Sequence, residues 1–362
     1  MFSLKARADR LRKVMELIKA DACIVKSEQS RRYLTGIDTA EGVVVITRVG
    51  NRYFLVDRRY EEFVTRRLSP QGFTVRTVGR HSEYAMFINE IIQSDKISVA
   101  LLESNAISHE DYLELENALY AKIIPLKSQL DKLRMIKDLE EVENIKTAQR
   151  ISEKSFEDLL PFIKPGVTEK QVQAKLVQLM LENGSDLAKF HITCVSGANT
   201  SLINGRATDK KIESGDALML EFGAVYNGYR SDMARTLVIG KADDEFKKAY
   251  RIVQDACVIG RLYIKKGVSG QAADGEIRRY IEENGYRDYF RHSLGHGIGV
   301  QLAEAPYLSS DSKDILTAGN VVTLEPGIYI KGKFGIRIED LLYISASGTE
   351  NLTRTTRDLI EL

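Results

Sequence analysis

The carboxyl-terminal part of this chain carries the same pattern twice. Ile163-Lys-Pro-Gly-Val-Thr168 returns as Ile264-Lys-Lys-Gly-Val-Ser269, and at the same offset Glu182-Asn-Gly184 returns as Glu283-Asn-Gly285. Each pair brackets a helical pattern that closes at a glycine, the residue suited to the left-handed backbone of a helix C-cap. Further on, Leu220-Glu-Phe-Gly223 returns as Leu324-Glu-Pro-Gly327. Two copies are too few for a solenoid. They suit an α/β domain duplicated about a two-fold axis, each half contributing one acidic strand pair to a shared central cleft.

A chain of 362 residues exceeds the roughly 250 to 300 that a single core ordinarily reaches, so two domains are expected. Hydrophobic residues make up 43% and charged residues 28%, the balance of an ordinary soluble globular protein. The 52 basic and 51 acidic side chains leave a formal net charge of +1, which argues against bulk attraction to nucleic acid or to an anionic membrane. Cys23, Cys194 and Cys257 are widely spaced and odd in number, unlike a disulfide framework or a cysteine zinc site. A reducing cytoplasm is the compartment that fits. The charged amino terminus is unlike a signal peptide, and no apolar run approaches the ~20 residues of a membrane span.

From Ala22 to Leu126, β-rich runs (Ala22–Lys26, Gly42–Ile46, Arg52–Val56, Ile97–Leu102) alternate with helical patterns at Arg58–Leu68, Glu83–Gln93 and His109–Leu119. This predicts an α/β domain. It contains no G-x-G-x-x-G or Walker-type loop, so nothing marks it as a nucleotide binder. Arg58, Arg59, Arg66 and Arg67 read as a solvated helix face. The charged segment Lys127–Asp138 precedes a long helical pattern, Asp138–Ile163, and places a boundary near residue 128: domains are expected at 1–128 and 129–362.

In Ala217-Leu-Met-Leu-Glu-Phe-Gly-Ala-Val-Tyr-Asn-Gly-Tyr-Arg-Ser-Asp-Met-Ala-Arg235, Asn227-Gly228 signals a two-residue type I′ hairpin. Tyr226 then pairs with Tyr229, and counting back places Gly223 opposite Asp232. Glu221 and Asp232 share a face as diagonal neighbours about 7 to 8 Å apart at Cα, with Gly223 leaving room between them. Two acids on a hairpin ordinarily form a solvated face. Glu221, however, sits in a run apolar on both faces, where a lone carboxylate costs several kcal/mol without a cation.

The second half repeats the anomaly with Glu325 in Val321-Val-Thr-Leu-Glu-Pro-Gly and Glu339 in Gly335-Ile-Arg-Ile-Glu-Asp340. His292-Ser-Leu-Gly-His-Gly-Ile-Gly299 is too rich in glycine for a helical i/i+4 histidine pair and reads as an extended strand that another backbone approaches closely. Four carboxylates and one imidazole suit Mn²⁺, Co²⁺, Fe²⁺ or Zn²⁺ better than calcium, and two ions sharing bridging carboxylates better than one. Arg337 lies two residues from Glu339 on the same strand face and is expected to pair with a ligand carboxylate. Cys194 reads as a small buried residue rather than a nucleophile, and His81 and His109 as surface residues.

These motifs resemble a known family. Gly205-Arg-Ala-Thr-Asp-Lys-Lys, Glu221-Phe-Gly-Ala, Ser231-Asp-Met-Ala-Arg-Thr, the His292 segment, Leu324-Glu-Pro-Gly-Ile-Tyr and Gly335-Ile-Arg-Ile-Glu-Asp occur in family order. Residues 186 to 345 look like the catalytic domain of the methionine aminopeptidase, Xaa-Pro aminopeptidase and prolidase family, the pita-bread metallopeptidases. The amino-terminal domain resembles that of its Xaa-Pro members and of creatinase. The resemblance implies an α/β (α+β) fold, a creatinase-like domain followed by a duplicated pita-bread domain. It implies that Asp232, His296, Glu325 and Glu339 are metal ligands, Asp232 and Glu339 bridging two ions, with His296 and Glu325 completing one. Glu325 would also move protons, and His292 would be a substrate-side residue. A homodimer, in which the amino-terminal domain narrows a neighbour's cleft, follows from the same likeness.

Three positions depart from the family pattern. Its first ligand is an aspartate where this chain has Glu221, whose extra methylene extends the carboxylate by roughly 1.5 Å. Its peptidases place histidines where this chain has Asn204 and Ala303; those histidines contact the scissile amide. Asparagine keeps a donor and an acceptor but carries no proton at neutral pH, and alanine offers neither. Acid–base help and oxyanion stabilisation are each worth roughly 10² to 10⁴ in rate. Three functions fit this pattern: a metal-dependent Xaa-Pro dipeptidase or aminopeptidase, with one ion or two; a metallohydrolase of the same scaffold acting on a non-peptide C–N bond; and a catalytically silent binding protein. The ligand expected is a short peptide or another small molecule.

Overall fold

Residues 4–80, 83–186 and 192–362 of the computed structural model are described below, and they form two compact units, Met1–Arg134 and Met135–Leu362. Among the described residues no helix is long and apolar enough to cross a membrane.

In the first unit, β1 (Ala22–Val25), β2 (Val43–Thr47), β3 (Arg52–Asp57), β4 (Thr74–Val78), β5 (Val99–Leu102) and β6 (Lys122–Pro125) make a six-stranded sheet in the order β4-β3-β2-β1-β5-β6. Only β2 runs against its neighbours. Both faces are covered, and the strand alternation sorts residues between them. Cys23, Val25, Val44 and Ile46 join one core with Ala8, Leu11 and Met15 of α1 (Leu4–Ile18) and with residues of α2 (Glu28–Thr35) and α3 (Glu61–Leu68). Ala22, Ile24, Val43 and Val45 join the other, with α4 (Glu83–Ser94) and α5 (His109–Ala118). The short α6 (Gln129–Met135) ends at the limit of the unit.

The second unit is built twice. In the first copy, α7 (Leu139–Leu159) and α8 (Glu169–Glu182) precede β7 (Ile192–Ser196), β8 (Ala217–Phe222), the hairpin β9 (Val225–Tyr226) and β10 (Tyr229–Arg230), and β11 (Met233–Val238). In the second, α9 (Asp244–Tyr263) and α10 (Gly270–Ile281) precede β12 (Gly295–Gly297), β13 (Glu304–Leu308), β14 (Val321–Leu324), the hairpin β15 (Gly327–Ile330) and β16 (Phe334–Arg337), then β17 (Asp340–Ile344) and β18 (Thr349–Asn351). The matched motifs sit at matched places: Thr168 caps α8 through the Gln171 N–H, and Ser269 caps α10 through the Ala272 N–H.

Each copy lays its helices on one face of its own sheet. Leu218, Leu220 and Phe222 of β8 pack with residues of α7 and α8, and Val322 and Leu324 of β14 pack with residues of α9 and α10. The period of two therefore turns Glu221 in one copy and Thr323 and Glu325 in the other away from the helices. The two sheets, β11-β8-β7 and β13-β12-β14-β17-β18, meet at a bridge between Ala234 and Glu339.

The hairpin closes at Asn227 and Gly228, both with positive φ (47° and 71°), as a type I′ turn requires. Tyr229 pairs with Tyr226, and further down Met233 pairs with Phe222 and Ala234 with Glu221. The same count puts Gly223 opposite Asp232, where a Cβ on Gly223 would stand 1.7 Å from the Ser231 carbonyl oxygen. Gly223→Ala should therefore destabilise the protein by about 1–3 kcal/mol through forced backbone movement. Gly275→Ala, on α10 with open space around it, should stabilise by about 0.5–1 kcal/mol. Urea unfolding of both variants checks the contrast; equal midpoints would show that the hairpin relaxes freely.

Candidate metal centre

Five side chains from five places in the chain converge in the second unit. Glu221 comes from β8, Asp232 from the residue before β11, His296 from β12, Glu325 from just after β14 and Glu339 from just before β17. Glu221, Asp232 and Glu339 each offer an oxygen within 4.8 Å of the others, and all three are buried. His296 Nε2 lies 3.5 Å from Glu325 Oε1. Asp232 feels the charges of both Glu339 and Glu325.

Burial of so many acids raises their proton affinity. Desolvation, then the Glu339 and Glu325 charges, hold the Asp232 carboxyl well above the usual carboxylate range, and desolvation and then Glu339 do the same to Glu325. Glu339 is pushed up to about 7 by desolvation, against the pull of Arg337 and Arg235. Both of its carboxylate oxygens are buried without a hydrogen-bond partner. A buried carboxylate with neither oxygen satisfied is costly, and a cation is the partner its acidic neighbours leave room for.

The imidazole points the same way. His296 Nδ1 is 3.1 Å from the Gly297 carbonyl oxygen, an acceptor, so Nδ1 carries the hydrogen and Nε2 presents its lone pair to Glu325. Desolvation also lowers the His296 pKa, keeping the ring neutral. A lone pair facing a carboxylate is favourable with a proton or a cation between them, and a backbone carbonyl on the far nitrogen is how ligating histidines are oriented. The donors present fit a divalent cation of the Mn²⁺, Co²⁺, Fe²⁺ or Zn²⁺ class.

The strand that carries His296 is shaped for this position. A Cβ on Gly295 would fall 2.2 Å from the Thr323 carbonyl oxygen, so glycine allows β14 to approach. Thr323 then accepts a hydrogen bond from the His296 N–H at 3.0 Å and donates to Glu325 Oε1 at 3.2 Å, tying two donors of the site to one hydroxyl.

Arg337 is buried and spends all three guanidinium nitrogens inside the protein. Nη1 pairs with Glu221, Nε donates to the Tyr329 hydroxyl at 2.6 Å and Nη2 to the Ile203 carbonyl at 3.2 Å. The Tyr329 hydroxyl is 3.0 Å from His292 Nε2, and His292 Nδ1 is 2.8 Å from the Ser293 carbonyl oxygen. Nδ1 therefore carries the ring hydrogen, and Tyr329 donates to Nε2. Both His292 nitrogens are engaged, and desolvation pulls its pKa down to about 4.

Asn204 and Ala303 stand on exposed loops. Asn204 follows the Ile203 carbonyl held by Arg337 and lines a cavity of about 980 Å³ with Lys170, Thr193 and Arg206. Ala303 precedes Glu304, which pairs opposite Gly297 and is anchored by a buried ion pair with Lys137 at 2.7 Å. Cys194 is buried, its thiol pushed up by desolvation, and donates to the Glu169 carbonyl oxygen at 3.3 Å. His109 is exposed, and His81 lies outside the described residues.

Sequence reasoning assigned no role to Tyr329, Thr323 or Arg235. Arg235 donates to the Glu339 carbonyl oxygen at 2.7 Å and pairs with Asp340 at 2.9 Å, fixing the backbone beside Glu339. An arginine inside the largely apolar stretch Met233–Val238 was the signal. Tyr329 and Thr323 are each two residues along a strand from a glycine or acid of the motif, and the period of two alone would place them on the site face.

Residues 143–346 match the model of metallopeptidase family M24, and residues 7–136 match the creatinase/prolidase N-terminal domain. The chain is 36% identical over 358 residues to an uncharacterised peptidase of Bacillus subtilis, covering 98% of this chain and all of the relative. A structure described as a Xaa-Pro dipeptidase from Bacillus anthracis superposes with a TM-score of 0.94 at 35% identity, covering 99% of this chain and 100% of that one. An X-Pro aminopeptidase structure from Thermotoga maritima gives 0.89 at 32% identity, covering 97% and 100%. With both of its domains matched in order, the chain belongs to metallopeptidase family M24, in the branch that carries a creatinase/prolidase amino-terminal domain.

Proposed function

We propose that this chain is a divalent-metal-dependent hydrolase of the Xaa-Pro dipeptidase and aminopeptidase type. It acts on the bond before proline in short peptides, and slowly, because Asn204 and Ala303 stand where two catalytic histidines are expected. The observation that carries the metal part is the buried Glu339 carboxylate with both oxygens unpartnered among other acids. The peptide part follows the relatives described above.

Asp232, His296, Glu325 and Glu339 would hold the ion. When bound, it supplies Lewis acidity. Glu325 moves the proton: Thr323 occupies Oε1, leaving Oε2 to take a proton from water and return it to the departing amine. His292 remains neutral and, with both nitrogens bonded, contributes shape and polarity to the substrate side rather than a proton. The Asn204 amide retains one donor toward a developing oxyanion, and Ala303 has none.

Ala303→His should raise Xaa-Pro dipeptide cleavage by roughly 10² to 10³, the worth of one oxyanion donor. Adding Asn204→His should raise it further, though not additively. Glu325→Gln should abolish activity in every background. Cleavage of Xaa-Pro dipeptides by the unmodified protein at about 10 s⁻¹, an ordinary enzyme rate, would show that neither histidine is needed.

Metal uptake should depend on pH. Ligation requires ionised carboxylates, and Glu339 with a pKa of about 7 keeps its proton in acid. Mn²⁺ affinity by equilibrium dialysis should therefore weaken as pH falls from about 8 to about 6 through proton competition. An affinity that is flat across this range would remove Glu339 from the ligand set.

A further inference from the structure

The site's carboxylates are not equivalent. Among the described residues, Glu221 is the site acid that forms an ion pair with a guanidinium. Arg337 is held there from three sides, by Glu221, the Tyr329 hydroxyl and the Ile203 carbonyl, and only 2% of its side chain is exposed. Glu339, two residues on, between β16 and β17, instead has both oxygens unpartnered. The added methylene of glutamate carries the carboxylate of position 221 farther from β8, toward that guanidinium.

We infer that this chain's centre holds one divalent ion tightly, through Asp232, His296, Glu325 and Glu339, and that the Arg337 guanidinium takes the place of a second ion as the counter-charge of Glu221. This rests on the metal-centre reading above and specifies its stoichiometry. The Glu221, Asp232 and Glu339 oxygens do gather within 4.8 Å, so the second position is attractive to a cation. A second ion, however, would have to share the Glu221 carboxylate with a buried guanidinium that already holds Oε2 and whose other nitrogens are committed, weakening that pair. Stripping one partner from a buried ion pair weakens such an ion on the order of a hundredfold or more. Glu221 thus serves as the anchor of Arg337, and through Arg337 of Tyr329 and His292.

The test is metal stoichiometry by equilibrium dialysis with Mn²⁺ and elemental analysis, read alongside the Mn²⁺ electron paramagnetic resonance spectrum. The unmodified protein should retain one ion per chain with an isolated-ion spectrum, a second entering only at free Mn²⁺ on the order of a hundredfold higher. Glu221→Asp, which shortens the arm, should bring the second ion in and give a spin-coupled pair. Glu221→Gln, checked for folding by its thermal transition, should keep the first ion. Glu325→Gln should weaken that ion by about 10- to 100-fold or more. Two ions of similar affinity in the unmodified protein, or loss of the first ion in a folded Glu221→Gln, would overturn the inference and leave the metal-centre reading standing. No ion at millimolar Mn²⁺ would overturn both.

Discussion

Carboxylates gathered in a buried pocket repel one another, and that unbalanced charge organises the catalytic-type unit of this protein. Asp232, Glu325 and Glu339 each hold their protons more tightly than a free carboxyl does: burial penalises ionisation in all three, and the Glu339 charge adds to it at Asp232 and Glu325. The surroundings supply partial remedies: Arg337 on Glu221, Arg235 against the Glu339 backbone, and the Thr323 hydroxyl on Glu325. None of these reaches the Glu339 oxygens. The apolar strands fix where the acids stand, and the hydrogen bonds fix how they point. What remains uncompensated is a group of buried oxygens that could hold a metal ion.

Much of this was legible in the sequence because strands obey a period of two. The Asn227-Gly228 turn fixes the register of its hairpin, and the count from that turn carries through to the pairing of Ala234 with Glu221. The duplicated motifs likewise announced two α/β halves that each bring acidic strands to a shared cleft; the structure adds that each half backs its sheet with helices on the opposite face. The strands at Thr74–Val78 and Lys122–Pro125 escaped notice because they are edge strands of short, partly polar residues, where the hydrophobic alternation is weak.

Other features lay beyond sequence reasoning for a different reason. The choice of Glu221 as the partner of Arg337, rather than Glu339 two residues away in sequence, depends on a contact between residues 116 positions apart. The same is true of the bond from the Arg337 guanidinium to the Ile203 carbonyl. Periodicity gives the face on which a side chain stands; it does not give which group across the cleft is nearest. Such cross-cleft contacts separate an oxygen available to an ion from one already bound to a guanidinium.

The bridge between Ala234 and Glu339 has a mechanical meaning. Here the Glu339 N–H donates to the Ala234 carbonyl at 3.0 Å, and Ala234 itself pairs with Glu221 on the next strand. The seam that joins the two duplicated halves therefore runs through the backbone of the site. A slip of one residue along it would turn Glu339 to the opposite face and dismantle the pocket at once. The two halves are thus registered to one another through a single backbone contact beside the carboxylates, so the spacing between those acids depends on that register.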